Sequence, residues 1–315
     1  MSEFFVLACA DESSGGGIYK FSMNGGANGG KIKEEGYYPC NRPMYGALSG
    51  GELFVLLCAP FLGEENGGYF KIGENLKNPS EIKSTLGKCP CHLSVDNDVY
   101  VANYLSGNLS KNAAAAVSHA GSGVNLPRQD MPHTHFAGLT PDKKYLLCCD
   151  LGLDTIFVYD RNLSFVSTAK VPSGYGVRHL VFDKSGKRFY AINELFPSVC
   201  LFSFEGGAAK LLTTVPLYCA CKNSTAAAIR LSKDGKTLYA SVRGENAIFA
   251  LSVNGNDLAV TDKFDCGGDS PRDFDIIGDY IVVANEGTGV CVIRTEDKKV
   301  AFKKELKSPL NVIKI

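Results

Sequence analysis

A pattern that recurs along nearly the whole chain is its strongest constraint. An apolar strand opens on a polar residue, turns at Lys/Asp-Gly or Asp-Asn, and returns as a second apolar strand ending in a small or polar residue. The fuller copies read HLSVDNDVYVAN from His92, AGLTPDKKYLLCCD from Ala137, HLVFDKSGKRFYAIN from His179, AIRLSKDGKTLYASV from Ala228 and DFDIIGDYIVVAN from Asp273. Reduced copies are FFVLACA from Phe4 and ELFVLLCA from Glu52. The end points Asn103, Asp150, Asn193, Val242 and Asn285 recur at intervals of roughly 43 to 49 residues, the length of a four-stranded propeller blade. Seven copies predict an all-β, seven-bladed β-propeller.

Closure is written into the same pattern. The first copy lacks an opening strand, and the chain ends in PLNVIKI from Pro309, which matches the opening strands elsewhere, such as PRDFDI from Pro271. The tail is predicted to complete the first blade, because an open ring would leave unpaired strand edges. A length of 315 residues exceeds the usual single core. Repeated blades extend a fold without enlarging any one core, so residues 1–315 are predicted to form one propeller domain. No long segment places apolar residues at helical spacing, which argues against an α/β fold. The 34 glycines suit the many tight turns.

Composition narrows the function. Lys plus Arg and Asp plus Glu are both 33, so there is no basic excess to hold nucleic acid. The start MSEFFVLACA has an acidic residue before a short apolar run and reads as a strand rather than an export signal. No segment is long enough to span a membrane as a helix. The expectation is a soluble, cytoplasmic protein with no obligatory protein partner. The 12 cysteines include the pairs Cys89/Cys91, Cys148/Cys149 and Cys219/Cys221, with no zinc-type spacing, and read as small, reduced, buried residues. No metal or cofactor is expected. The glycine run Gly25 to Lys31 imitates a phosphate-binding loop, but Ile32 replaces its magnesium-binding Ser/Thr and no helix follows.

Within a blade the first two strands run antiparallel, so the start of the first and the end of the second share one face. Starting positions carry His92, His133, His135, Arg178, His179, Arg272 and Asp273. Ending positions carry Asn103, Asp150, Asn193, Glu194, Arg243, Asn285 and Glu286, while Arg230 lies within a first strand. Histidine, carboxylate and arginine thus gather on one face, a set suited to acid–base work on an anion. The competing structural roles are specific. His92, His135 and His179 can brace neighbouring blades, Arg178 and Arg243 can bridge them, and Glu194 can be exposed.

The stretches QDMPHTHFAGLTPD (from Gln129), CDLGLDTIFVYD (from Cys149), VRHLVFDKSGKRFYAINEL (from Val177) and SPRDFDI (from Ser270) resemble the propeller lactonase family. That family includes bacterial 6-phosphogluconolactonases and fungal 3-carboxy-cis,cis-muconate lactonizing enzymes. The resemblance is strongest from His92 to Asn285 and weak in the first two blades. Val242 stands where the family has asparagine before an arginine. The resemblance implies a site at His133/His135, Arg178, Glu194 and Arg243, with His135 or Glu194 as general base. His133, His179, Arg230, Arg272 and Asn103 are the expected substrate-binding residues. The leading expectation is hydrolysis of a small anionic sugar lactone, 6-phosphogluconolactone to 6-phosphogluconate, in carbohydrate metabolism. The pentose phosphate pathway is its expected setting. Cyclisation of a carboxymuconate is the second reading, since the same residue types serve it. A propeller that binds a ligand or partner without turnover is the third.

Overall fold

The computed structural model describes residues 2–24, 32–61, 63 and 65–315. The glycine run from Gly25 to Lys31 lies outside the described residues. Seven four-stranded antiparallel sheets form the blades. The innermost strands are Pro309–Lys314, Pro43–Ser49, Pro90–Asp96, Thr134–Leu139, Val177–Phe182, Thr225–Leu231 and Pro271–Ile277 for blades 1 to 7. Their second strands are Ser2–Ala8, Glu52–Leu57, Asp98–Asn103, Tyr145–Asp150, Arg188–Asn193, Thr237–Arg243 and Tyr280–Asn285. Inner strands of neighbouring blades contact one another all the way round the ring. The tail does complete blade 1: Val312 faces Val6 and Lys314 faces Phe4 across an antiparallel pair. A single 3-10 turn, Glu12–Ser14, is the only helical element among the described residues.

Both faces of every blade are covered, and the strand alternation shows how. Phe4 and Val6 point towards blade 7 and pack with Ile277 and Val282. Phe5 and Leu7, one residue out of phase, point towards blade 2 and pack with Leu53 and Phe70. The same division produces seven separate apolar clusters, one at each blade–blade interface. Each fully buried Phe or Leu is worth about 1.5–3 kcal/mol of transfer free energy.

A β-bulge near the start of the inner strands positions the chemistry. Val177 faces Asn193 and His179 faces Ile192, which leaves Arg178 unpaired between them. The same irregularity frees His135 in blade 4, Arg272 in blade 7, Cys91 in blade 3, Met44 in blade 2 and Leu310 in the closing strand. In blade 6 it falls at Ala227 and Ala228. A bulge kinks the strand and re-aims the extra side chain, so six of the seven bulges aim single residues of five kinds at comparable places in the ring. The chain reaches several of these strands through a left-handed residue, and at Gly176 (φ 68°) an added Cβ would lie 2.7 Å from Leu195.

The cysteines are less uniform than their expected role as buried small residues. Cys91, Cys148, Cys149, Cys200, Cys266 and Cys291 are buried, but Cys9, Cys40, Cys58, Cys89 and Cys219 are half-buried and Cys221 is exposed. Residues such as Cys9 and Cys58 sit just past a strand end, where the apolar interface stops and the channel mouth begins.

Candidate active site

Two rings of residues surround the mouth of the central channel. One ring comprises the bulged residues, with Met44, Cys91, Arg178, Arg272 and Leu310 converging on a small void of about 10 Å³. The other comprises the residues that end or follow the second strands: Cys9, Cys58, Tyr104, Leu151, Glu194, Arg243 and Glu286. Blades 4 to 7 place the histidine, arginines and glutamates on one side. Blades 1 to 3 contribute apolar side chains, thiols and Tyr104 on the other.

Glu194 is the hub of the polar side. Its Oε1 accepts a hydrogen bond from Arg128 Nη2 at 2.6 Å, and its Oε2 accepts one from Arg178 Nε at 3.0 Å. Arg243 Nη2 makes an ion pair with the same Oε2 at 3.1 Å. Burial alone would raise the Glu194 pKa, but Arg243, Arg178 and Arg128 together hold it well below the usual carboxylate range. The carboxylate is therefore ionised at any physiological pH. The arginines experience the opposite pressure. Burial, then Arg272 and Arg243, push Arg178 down, and burial likewise pushes Arg243 down. Three guanidinium groups on one carboxylate leave an excess of positive charge that favours an incoming anion. Arg272, 3.5 Å from Glu286, extends the cationic side towards the mouth. Exposure rises in the same direction, from 3% and 5% at the Arg178 and Glu194 side chains to 42% at Arg128.

His135 borders this cluster. Burial and then Arg178 drive its pKa well below the ordinary imidazole value, so the ring is neutral. Its Nδ1 is buried without a hydrogen-bond partner in the protein, as is Arg243 Nε. Buried polar atoms are normally paired, so two such atoms in one site indicate a place for water or a ligand. His133 stacks on Tyr104 with ring centroids 4.4 Å apart and sits 3.3 Å from Asp130. Its backbone N–H is fixed by Asp150, whose other oxygen pairs with His119.

The remaining expected substrate-binding residues are not all brought to this cluster. His179 touches the cluster, with its Nε2 3.4 Å from Arg178 Nη1, and also packs edge-on to His135 and His92 at 5.1 Å each, in a layer with Tyr45 and Phe136. Arg230 pairs with Asp273 at 2.8 Å, and Asp273 also holds the closing strand through Asn311 and Val312. Asn103 is fully buried, donating to the Thr85 carbonyl just past Lys83–Ser84, the outer strand of blade 2. Arg128 is the participant that the repeat does not reveal. It stands in the long connection between Ala115–Ser118 and Thr134–Leu139, which has no counterpart in other copies. Gln129 anchors that connection by donating to Leu151 O and to Asp154, and Asp154 accepts from the backbone of Gly174 and Gly176. The place of Arg128 immediately before the QDMPHTHFAGLTPD stretch was the available signal. Among the described residues no three His, Cys, Asp or Glu side chains are placed to hold a metal ion, and no helix is long and apolar enough to cross a membrane.

A closed propeller with a cationic, histidine-bearing mouth defines the class, and the chain belongs to the seven-bladed β-propeller lactonase family, whose model matches residues 4–309. Lactone hydrolysis is the chemistry that names this family. Among its relatives, the 6-phosphogluconolactonase of Bacillus subtilis is 31% identical over 238 residues, covering 68% of each chain. The 6-phosphogluconolactonase of Formosa agariphila is 28% identical over 324 residues, covering 93% of this chain and 92% of its own. A crystal structure of a Lactobacillus plantarum protein superposes with a TM-score of 0.88 at 27% identity over all of both chains. A periplasmic gluconolactonase of Pseudomonas aeruginosa shares the fold, with a TM-score of 0.85 at 23% identity, covering all of this chain and 99% of its own.

Proposed function

We propose that this protein hydrolyses the δ-lactone of an anionic sugar acid, with 6-phosphogluconolactone as substrate and 6-phosphogluconate as product. The observation that carries this reading is the arginine cluster on Glu194 beside a neutral, unpartnered His135. Arg128, Arg243 and Arg272 bind the phosphate from the more open side. Arg178, held by Glu194, faces the lactone carbonyl and stabilises the oxyanion that water addition creates. His135 takes the proton from the attacking water. The tetrahedral intermediate then collapses, the ring C–O bond breaks, and the leaving alkoxide takes the proton back from His135. Developing negative charge next to His135 raises its basicity at the moment it is needed. Glu194 serves as an anchor for the arginines rather than as the base, because a carboxylate tied by three guanidiniums is a weak proton acceptor.

A muconate cyclase would use a proton donor at this place. With its pKa held well below 6.5, His135 scarcely carries an imidazolium proton to donate near neutral pH, which favours hydrolysis. The test is a direct assay with freshly made 6-phosphogluconolactone, with spontaneous opening subtracted. Acceleration is expected, and kcat/KM should exceed that for unphosphorylated gluconolactone by about 10- to 100-fold, the worth of a charge-assisted contact. No acceleration, together with turnover of 3-carboxymuconate, would replace this reading with the cyclase.

A further inference from the structure

The ring that supplies Glu194 and Arg243 also places a cysteine just after the second strand of each of two neighbouring blades. Cys9 follows Ser2–Ala8 in blade 1 and Cys58 follows Glu52–Leu57 in blade 2. Both thiols are free, their Sγ atoms are 3.7 Å apart, and neither residue is fully buried. The backbone around them is fixed. Cys9 N donates to Ser308 O at 2.7 Å, Arg42 N to Ala10 O at 2.9 Å, and Cys58 N to Arg42 O at 3.2 Å. Arg42 is itself held in a left-handed turn (φ 49°). The residues before other inner strands, such as Ser270 and Ser308, share this conformation, so the turn is fixed by the repeat.

The surroundings are electropositive. The hydrogen bond shared with Cys9 lowers the Cys58 thiol, with Arg42 and Arg272 acting in the same direction. That same bond, and then burial, raises Cys9. A low-pKa thiol beside a second thiol and two guanidiniums is the environment of a reactive cysteine with its resolving partner. The buried cysteines differ: Cys91, Cys148 and Cys149 are raised by burial and have no thiolate character.

We propose that Cys9 and Cys58 form a peroxide-oxidisable dithiol that closes to a disulfide between blades 1 and 2 at the channel mouth. The Cys58 thiolate attacks one oxygen of hydrogen peroxide, the O–O bond breaks, and the leaving hydroxide is protonated to water. Cys58 is then a sulfenic acid. Cys9 gives up its proton and attacks that sulfur, the S–S bond forms, and a second water leaves. Two thiols and one peroxide become one disulfide and two waters, and a thiol reductant reverses the change. The sulfurs must approach by about 1.7 Å to reach a bond length near 2.05 Å. The disulfide joins residues 49 apart in sequence, beside the seam closed by the C-terminal strand.

The experiment exposes the full chain to hydrogen peroxide, quenches with catalase and maps peptides without reduction. Two thiols per chain should be lost, a Cys9–Cys58 peptide should appear, and the oxidised protein should melt several degrees higher than the reduced one. Cys9→Ser should stop at a Cys58 sulfenic acid that dimedone captures, whereas Cys58→Ser should leave Cys9 a thiol. Arg42→Gln should slow oxidation by about 3- to 10-fold, because it raises the Cys58 pKa. An unchanged thiol count overturns the proposal. So does preferential linkage of another pair, such as Cys219 with Cys221.

Discussion

Glu194 is surrounded by more positive charge than it can neutralise, and its replacement separates anchoring from proton transfer. Glu194→Gln keeps the shape but leaves Arg178 and Arg243 buried without a counter-charge. Breaking one side of a buried ion pair commonly costs about 3–5 kcal/mol. Glu194→Gln should therefore lower the midpoint of urea unfolding as well as kcat/KM. His135→Asn should leave unfolding nearly unchanged and depress kcat by about 10²- to 10⁴-fold. Equal damage to stability from both substitutions would reverse the two assignments. Arg128→Ala, at the more open side, should raise KM about tenfold with a smaller effect on kcat. The pH profile is a further check. A His135 pKa far below 6.5 means the free enzyme keeps its base unprotonated as pH falls through that value. The kcat/KM profile should show no acid limb near pH 6.5. Arg178, Glu194, Arg243 and His135 were legible because repeat position alone assigns them to one face. Arg128 was not, because it belongs to a connection outside the repeat. Position also says nothing of what absorbs a polar side chain: Asn103, at an ending position, donates to the Thr85 carbonyl, and Arg230, within a first strand, donates to Asp273, partners that neighbouring blades supply.

The closing strand is the element on which the ring depends. Asn311 accepts a hydrogen bond from Gly46 N at 2.9 Å with its oxygen and donates to Asp273 at 2.6 Å with its nitrogen. It thereby links the inner strands of blades 2 and 7 through that of blade 1. Asn311→Ala strips a buried N–H and a buried carboxylate of a partner and should cost about 2–4 kcal/mol in chemical unfolding. Ending the chain at Ser308 exposes the edge of Ser2–Ala8 and uncovers Phe4 and Phe5, so this variant should be recovered mainly as aggregate. A monomeric, cooperatively melting product would show that the ring holds without its latch. The tail was legible because PLNVIKI matches the other opening strands while the first copy has none. The bulges were not. Alternation predicts which way paired residues point, and an unpaired residue is one that the alternation does not count. That is how Arg178 and His179, adjacent in sequence, come to serve a cationic cluster and an aromatic layer.

Seven small cores, rather than one large one, give the molecule its scale, and the channel inside them sets how it responds to acid. His92, His135 and His179 meet there, and each is held neutral. Burial, then Arg230 and Arg178, lower His92 to about 3, while burial, then Arg178, carry His135 and His179 well below 6.5. In the unfolded chain all three titrate near 6.5. As pH falls below that value the unfolded state binds protons that the folded state refuses, so stability falls with pH. Each histidine contributes on the order of 1 kcal/mol of loss between pH 7 and pH 5.5, and the three together roughly 3–4 kcal/mol. Glu194, whose pKa is lowered from 4.5, adds its own loss only at more acid pH, so the histidines dominate this window. Urea unfolding at the two pH values measures the difference. Replacing His92 by Phe should remove about a third of it, because the new ring packs against Tyr45 and Phe136 without a proton to refuse. If stability proves flat from pH 7 to 5.5, or if NMR titration places the three imidazoles near 6.5 in the folded protein, then the channel is wetter than its packing indicates. The neutral His135 on which the hydrolytic mechanism relies would then have to be abandoned as well.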